Sequence, residues 1–480
     1  MNFNSYIFIL LFLPVFVISY YSLSHIKPWL SKVVIIAGSL VFYCYGGIKF
    51  AAFLLASVLL NYLFAYLIAK TSNKKAMLIL AVIINVFALL FFKCRNFFID
   101  NVNLIFSKDI VLKDLIMPLG ISFITFRQIM YAVNVYKDEI KADIIDYLSY
   151  ILYFPVLLMG PLNEHKDYID RINDNESKKV NWDNIACGIK TFSFGLFKKV
   201  VIADTFAVAV NWAFLSIFDV TAMEWMLVML FYTFEIYFDF SGYTDMAMGV
   251  SCMLNIDLPV NFDSPYKAFS INEFWKRWHA SLTAFFTKYI YIPLGGSRKG
   301  LVRTCINIMI VFLASGLWHG ANWTFILWGV LHGLFSVFDR LIIKHRDKVN
   351  PVVQWMLTFL VVNVLWLLFR SESISQWKSI LGIISRFENT TVSYTLLNFF
   401  NLPELNLAAG VLHLSGIIDR IRGFNMLMFI LLSFGICMIP ENNYKNLKKN
   451  NWGYLVLSVI TFLWGFLCLS SESVFVYFNF

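Results

Sequence analysis

From Thr304 to Phe338 the chain carries no Asp, Glu, Lys or Arg, and this run of 35 residues constrains the fold more than any other feature. As one helix it would be about 52 Å long at 1.5 Å per residue. The hydrocarbon core of a bilayer is only about 30 Å thick. The segment therefore has to break. Gly316, Gly320 and Asn322 mark the place, because glycine accepts unusual backbone angles and close helix approach. His319 sits at that break, in SGLWHGANW (315–323). Irregular backbone at membrane depth is tolerated only where protein buries it or where it lines a wet cavity. An ionisable side chain there reads as a functional candidate, against the plainer reading of a tryptophan-rich turn at a membrane interface.

The rest of the chain has the same character. It is 59% apolar and 14% charged, with a mean hydropathy of +0.69, whereas a soluble domain carries about 25% charged residues. Apolar runs are readable at 6–22, 33–47, 50–69, 76–92, 144–160, 185–202, 223–240, 301–317, 322–342, 353–369, 424–440 and 453–470. They predict an all-α, polytopic membrane protein with roughly 10–14 membrane helices of about 20 residues each, forming one unit over residues 1–480. Stretches 116–135 and 395–415 are interrupted by Pro, Gly or polar residues and are expected to be re-entrant or interfacial. The first run, Tyr6 to Tyr21, has no basic leader and no small-residue cleavage site after it, so it is expected to be a retained span.

Charge sets the expected orientation. Lys27 and Lys32 follow the first span, Lys70, Lys74 and Lys75 follow the third, and Lys445, Lys448 and Lys449 lie between Glu441 and Asn450. The positive-inside rule puts these loops in the cytoplasm and both termini outside. Lys93 and Arg95 fall on the wrong side of this scheme. The net charge of +9 is scattered in short clusters, which excludes a nucleic-acid stripe. Seven cysteines without CxxC or Cys/His spacing indicate neither a metal site nor a disulfide framework.

Three further stretches carry candidate chemistry. In SINEFWKRWHASL (270–282), Ser270 and Glu273 form a capping-box pattern that starts a helix. On a continuous helix Trp275, Trp278, His279 and Leu282 share one face, with Lys276 and Arg277 elsewhere. The plain alternative is a snorkelling interfacial anchor. In YIPLGGSRKG (291–300), Arg298 and Lys299 flank a glycine turn. They suit either donor phosphates or a basic cytoplasmic loop, and the turn is not a nucleotide fingerprint. In YFDFSGYTDMAMG (237–249), Asp239 and Asp245 must pair or face water. They can orient a histidine or a buried basic group, line an acceptor path, or make a structural bond between helices.

Taken together and in order, MPLGISF (117–123), GLFKKVVIAD (195–204), YFDFSGYTDMAMG, NFDSPY (261–266), EFWKRWH (273–279), YIPLGGSRKG, SGLWHGANWTFILWGVLHG (315–333), WLLFRS (366–371) and VYFNF (476–480) resemble the membrane-bound O-acyltransferase family. The likeness is to its bacterial alginate O-acetyltransferase-like branch. The resemblance implies a helical membrane fold with a central funnel or tunnel, its catalytic core expected within 116–340. The family's invariant histidine falls on His319 and the second conserved histidine on His279. Trp275, Trp278, Asp239, Tyr243, Trp318 and Asn322 are then expected along the tunnel, and Lys276, Arg277, Arg298 and Lys299 at the donor phosphates. The implied donor is cytoplasmic acetyl-CoA, with no resident cofactor or metal. The implied setting is a bacterial plasma membrane, beside polysaccharide-synthesis machinery and an SGNH-type partner that completes the transfer. Two places depart from the family pattern: Asn163, Glu164 and His165 after YFPVLLMGP (153–161), and Lys288 in FFTKYIYIPLGG.

Acetyl transfer from a thioester to an alcohol removes a hydroxyl proton as the oxygen attacks, and neutral imidazole suits that task, typically for about 10²–10⁴-fold. His319 is therefore expected to be the general base, with His279 polarising or orienting the thioester carbonyl or the donor. An acyl-histidine intermediate is the covalent alternative. Trp318 and Trp323 are expected to wall the site. Within the family, D-alanyl transfer from a carrier protein to teichoic acid is the competing reading. Outside it, a solute transporter is the alternative, drawing on the two acids and the broken helix.

Overall fold

The computed structural model describes residues 1–111, 117–342, 348–411, 413, 423–438, 451–469 and 475. The described residues form helices and no strand, so the all-α membrane architecture stands. Among the described residues, six helices are long and apolar enough to cross a bilayer: Phe8–Ile26, Ile48–Lys70, Lys74–Phe106, Leu301–His319, Trp323–Ile342 and Pro351–Arg370. Leu30–Cys44, Phe424–Met438 and Trp452–Leu467 are shorter apolar helices. The loop from Glu441 to Asn450, residues 476–480, position 116, the ends of the last two apolar runs and part of 395–415 lie outside the described residues.

Two expected segments differ. The apolar run 144–160 is not a span: it makes the helix Ile144–Ile151 and then the single turn Phe154–Leu157. Its residues from Ser149 to Leu157 are buried, so its hydrophobicity serves the protein interior rather than lipid. Residues 116–135 hold the helix Ile121–Tyr136, which is likewise an interior element.

The charge-free run breaks as its length requires. One helix ends at His319 and the next begins at Trp323. A Cβ on Gly316 would lie 2.5 Å from the Phe325 carbonyl oxygen, and one on Gly329 would lie 2.5 Å from that of Phe312. The two backbones cross where only glycine fits. Asn322 restarts the chain: its Oδ1 accepts from the Thr324 N–H at 3.0 Å, and its Nδ2 donates to the Glu372 carbonyl at 2.8 Å.

The core is built on two long segments. Trp182–Phe197, a π-turn at Lys198–Ala203 and Asp204–Leu215 run on as one rod beside Ala222–Met253. A Cβ on Gly195 would lie 2.6 Å from the Gly242 carbonyl oxygen, and one on Gly188 would lie 2.5 Å from that of Gly249. Such close approach is how helices without a hydrophobic driving force gain packing contacts. The π-turn places two lysines against the neighbouring acids. Lys199 pairs with Asp239 at 2.7 Å and Asp204 at 2.8 Å, and Lys198 pairs with Asp245 at 2.6 Å. Of the alternatives open for the two acids, the structure selects buried basic partners.

Polar contacts sort the loops into two faces. On one, Lys32 pairs with Asp146, Lys74 with Asp138 at 2.8 Å, and Asn255 Nδ2 donates to the Ser177 and Lys179 carbonyls. On the other, Arg370 donates to Asn211, Thr221 to the Thr391 carbonyl, and Asn322 to Glu372. The first face carries Lys32 and Lys74, two of the lysines that positive-inside counting picked out.

Candidate active site

His319 is the last residue of its helix and is buried, with 4% of its surface exposed. Trp318, Trp328 and Phe369 surround the imidazole at ring-centroid distances of 4.6, 5.1 and 5.2 Å. The residue lines a cavity of about 160 Å³ together with Trp318, Lys93, Leu158, Met159 and the turn from Met117 to Phe123. That turn is the MPLGISF motif. Its Gly120 has φ +70°, and a Cβ there would lie 2.8 Å from the Leu157 carbonyl oxygen, so glycine is required on both counts.

Lys93 belongs to the same cavity. Its ammonium donates to the Trp318 carbonyl at 2.6 Å and the His319 carbonyl at 3.3 Å, and lies 5.5 Å from the Trp318 ring centroid. These carbonyls end a helix, where the dipole favours a cation. Counting along Lys74–Phe106 and Leu301–His319, Lys93 and His319 each stand about 27–29 Å beyond the start of their helix. The cavity therefore lies toward the face opposite the Lys74 end.

His279 is reached differently from the sequence expectation. Ser270 does cap a helix, its Oγ accepting the Glu273 N–H at 3.2 Å. Glu273 returns its carboxylate to the Phe269 N–H at 2.9 Å, one residue before the cap. The helix then stops at Arg277. Trp278 is extended, His279 is left-handed at φ +45°, and a new helix runs Ala280–Phe286. Trp275, Trp278, His279 and Leu282 do not share one helical face. The NFDSPY segment is the cause: the Asp263 N–H bonds the Arg277 carbonyl and the Ala280 N–H bonds the Asn261 carbonyl, both at 2.9 Å. These long-range bonds take over backbone groups that a continuing helix would use.

The kink sends Trp278 toward Phe262 and Trp366 and His279 toward Phe123, Phe240 and Trp318. His279 Nδ1 lies 3.1 Å from Asn261 Oδ1, which also accepts the Ser281 N–H at 3.3 Å and the Ser281 hydroxyl at 2.8 Å. A backbone N–H can only donate, so the Asn261 atom is an acceptor and the His279 Nδ1 carries the proton. Its Nε2 therefore presents a lone pair, with no partner among the described residues.

A larger cleft of about 950 Å³ lies beyond His279. Leu162, Ala280, Ser281 and Phe285 line it, as do Glu164, Asp167, Asp170, Arg171 and Lys288. The two departures from the family pattern meet here, Lys288 pairing with Glu164 at 2.8 Å. An aromatic stack separates this cleft from the His319 cavity: Phe285 lies on Phe126 at 4.2 Å, and Phe126 on Trp318 at 5.5 Å. All three rings are buried.

Of the six residues expected along a tunnel, Trp318 alone is among those lining the His319 cavity. Trp275 donates its indole N–H to Nδ1 of a third buried histidine, His332, at 3.2 Å. Tyr243 lies between Phe3 at 5.0 Å and Phe475 at 5.1 Å. Asp239 is held by Lys199, and Asn322 caps its helix. Trp323 does not wall the site: it is 54% exposed and donates to Asn101 Oδ1 at 3.1 Å. Lys276, Arg298 and Lys299 are exposed, while Arg277 bonds Glu273 and the Asp263 carbonyl. None of these four basic residues is among those lining either cavity. Sequence reasoning missed the place of Lys93, Asn261 and His332. The signals were present: a lysine on the wrong side of the orientation scheme, an asparagine inside a quoted motif, and a histidine in GVLHG.

Residues 138–371 match the model of the membrane-bound O-acyltransferase family. Along its whole length the chain is 34% identical to a "Peptidoglycan O-acetyltransferase" of Helicobacter pylori, covering 97% of that protein. The chain belongs to the membrane-bound O-acyltransferase family. It is 35% identical over 86% of its length to a "Probable alginate O-acetylase" of Pseudomonas aeruginosa, covering 80% of that protein. A "Teichoic acid D-alanyltransferase" of Streptococcus thermophilus is 26% identical over 48% of the chain and 59% of its own length. The protein is thus a multi-pass membrane O-acyltransferase. Its family match contains both histidines, whereas Lys93 and the 117–123 turn lie before it.

Proposed function

We propose that the protein moves acetyl groups from cytoplasmic acetyl-CoA across the membrane for O-acetylation of an extracytoplasmic polysaccharide, through an SGNH-type partner beside the polymer-synthesis machinery. One observation carries this reading. His319 lines a small cavity set toward one face, and the Phe285–Phe126–Trp318 stack lies between it and a large cleft bordered by Glu164 and Lys288. A donor and an acceptor can meet at His319 from opposite sides. The relatives that the chain matches along most of its length are named for peptidoglycan and alginate O-acetylation.

In this reading His319 takes the hydroxyl proton as the acceptor oxygen attacks the thioester. His279 orients the donor by accepting an N–H with its Nε2, and in that tautomer it does not polarise the carbonyl. Lys276, Arg277, Arg298 and Lys299 remain candidates for the donor phosphates, joined by Lys288 at the cleft. The host membrane is a bacterial plasma membrane, with the Lys32 and Lys74 face in the cytoplasm and both termini outside. The position of the N-terminus is supported by the Met1 ammonium, which donates to the Phe42 carbonyl at the far end of Leu30–Cys44.

His319→Ala is the direct test, with polymer O-acetylation as the readout. The variant is expected to lose acetylation at normal membrane abundance, and wild-type acetylation would remove the catalytic role. D-alanyl transfer is separated by donor binding, acetyl-CoA against a charged carrier protein. The transporter reading loses one of its two supports, because Asp239 and Asp245 are both committed to lysines.

A further inference from the structure

Acyl transfer passes through a tetrahedral intermediate whose negative oxygen needs a donor, and neither histidine supplies one. His319 accepts a proton, and His279 presents a lone pair at Nε2. Among the described residues lining the His319 cavity, Lys93 is the cation. Its ammonium has three N–H groups. Two face the Trp318 and His319 carbonyls, and no ion pair to a carboxylate joins Lys93 among the described residues. A cation at this depth is expensive and marks function by default. The helix-end dipole favours a cation here, but capping takes up two of the three N–H groups and leaves one for the cavity.

We propose that Lys93 is a further catalytic residue, the donor that holds the carbonyl oxygen of a thioester acyl group as it becomes an oxyanion. The proposal rests on the acetyl-transfer reading above. The acceptor oxygen bonds to the thioester carbon, the carbonyl pair moves onto oxygen beside the Lys93 ammonium, and His319 takes the hydroxyl proton. The carbonyl then reforms, the carbon–sulfur bond breaks, and His319 returns its proton to the departing thiolate. An ester and a free thiol result, and Lys93 keeps its protons throughout. The same side chain fixes the backbone of His319, so base and oxyanion donor are held by one contact.

The test compares Lys93→Gln, Lys93→Met and Lys93→Arg in the full-length purified protein, supplied with a polysaccharide acceptor and its SGNH-type transferase, with acetyl-CoA as donor and acetyl-ester formation as readout. Glutamine keeps a donor for the two helix-end carbonyls but removes the charge. Losing an oxyanion donor costs about 10²–10³ in kcat, so Lys93→Gln and Lys93→Met are expected to fall by that factor with KM for acetyl-CoA unchanged. Lys93→Arg is expected to keep more activity than Lys93→Gln. Retained acetyl-CoA binding verifies the fold of each variant. Wild-type kcat in Lys93→Gln overturns the proposal, as does full activity in Lys93→Gln with loss confined to Lys93→Met, which reduces Lys93 to a cap. A wild-type protein that forms no acetyl ester fails the acetyl-transfer reading itself, a result separate from any difference among the variants.

Discussion

At the scale of single residues, Asn261 decides what His279 can do. By accepting from Ser281 and from Nδ1 it leaves Nε2 as an acceptor. Asn261→Leu removes that anchor and strands the buried Ser281 N–H, at a cost of about 1–3 kcal/mol. The expected result is a lower melting temperature and reduced acetyl transfer, because the His279 ring loses the contact that fixes its tautomer. Enzyme assay and thermal unfolding of the purified variant check both. His165 offers a second residue-level test. It begins the short helix His165–Asn173, packs against Tyr131 at 4.9 Å and Tyr150 at 5.0 Å, and is buried. Burial, then Arg127 and Lys32, push its pKa down to about 4. The unfolded chain binds the proton first, so this contribution is complete above about 6.5 and is lost as pH falls toward 4. His165→Phe is expected to flatten the decline of melting temperature across that window, and an unchanged slope would contradict this. Neither environment is visible in sequence, since each depends on side chains from other elements.

At the scale of elements, the hairpin bearing His319 was legible because its charge-free length exceeds the bilayer, and the structure breaks it at the expected residues. The kink at Trp278 and His279 was not legible. It is imposed by bonds to Asp263 and Asn261, and no local propensity announces them. The interior role of 144–160 was hidden for a related reason, since apolar runs read alike whether they face lipid or core. Two predictions belong here. Gly316→Val puts side-chain carbon against the Phe325 backbone, which cannot yield as a flexible side chain would. Overpacking of this kind costs about 1–3 kcal/mol, so reduced membrane abundance and loss of transfer are expected in cells, measured by quantitative blotting and polymer acetylation. Phe126→Ala removes the middle ring of the stack between the two cavities. It is expected to let water reach the donor, raising acetyl-CoA hydrolysis relative to ester formation. An unchanged ratio of free thiol to ester would show that the stack does not close the passage.

At the scale of the whole molecule, the ordered motifs gave the family correctly, and the structure shows why several of them go together. GLFKKVVIAD and YFDFSGYTDMAMG are two sides of one ion-paired, glycine-packed interface. NFDSPY bends EFWKRWH, and MPLGISF roofs the cavity of SGLWHGANW. Asp239, Tyr243, Trp275 and Trp278, expected along a tunnel, are instead packed among other elements and are not among the residues lining the His319 cavity. The central claim is that an acetyl group entering from the basic face leaves as an ester at the opposite face by way of His319. The measurement is made in sealed vesicles containing the purified protein with that basic face outward. Labelled acetyl-CoA is added outside, and a polysaccharide acceptor with its SGNH-type transferase is enclosed within. Labelled ester should accumulate inside with wild-type protein and be absent with His319→Ala. Equal internal ester from the two proteins, or label confined to the outer compartment, would contradict the account.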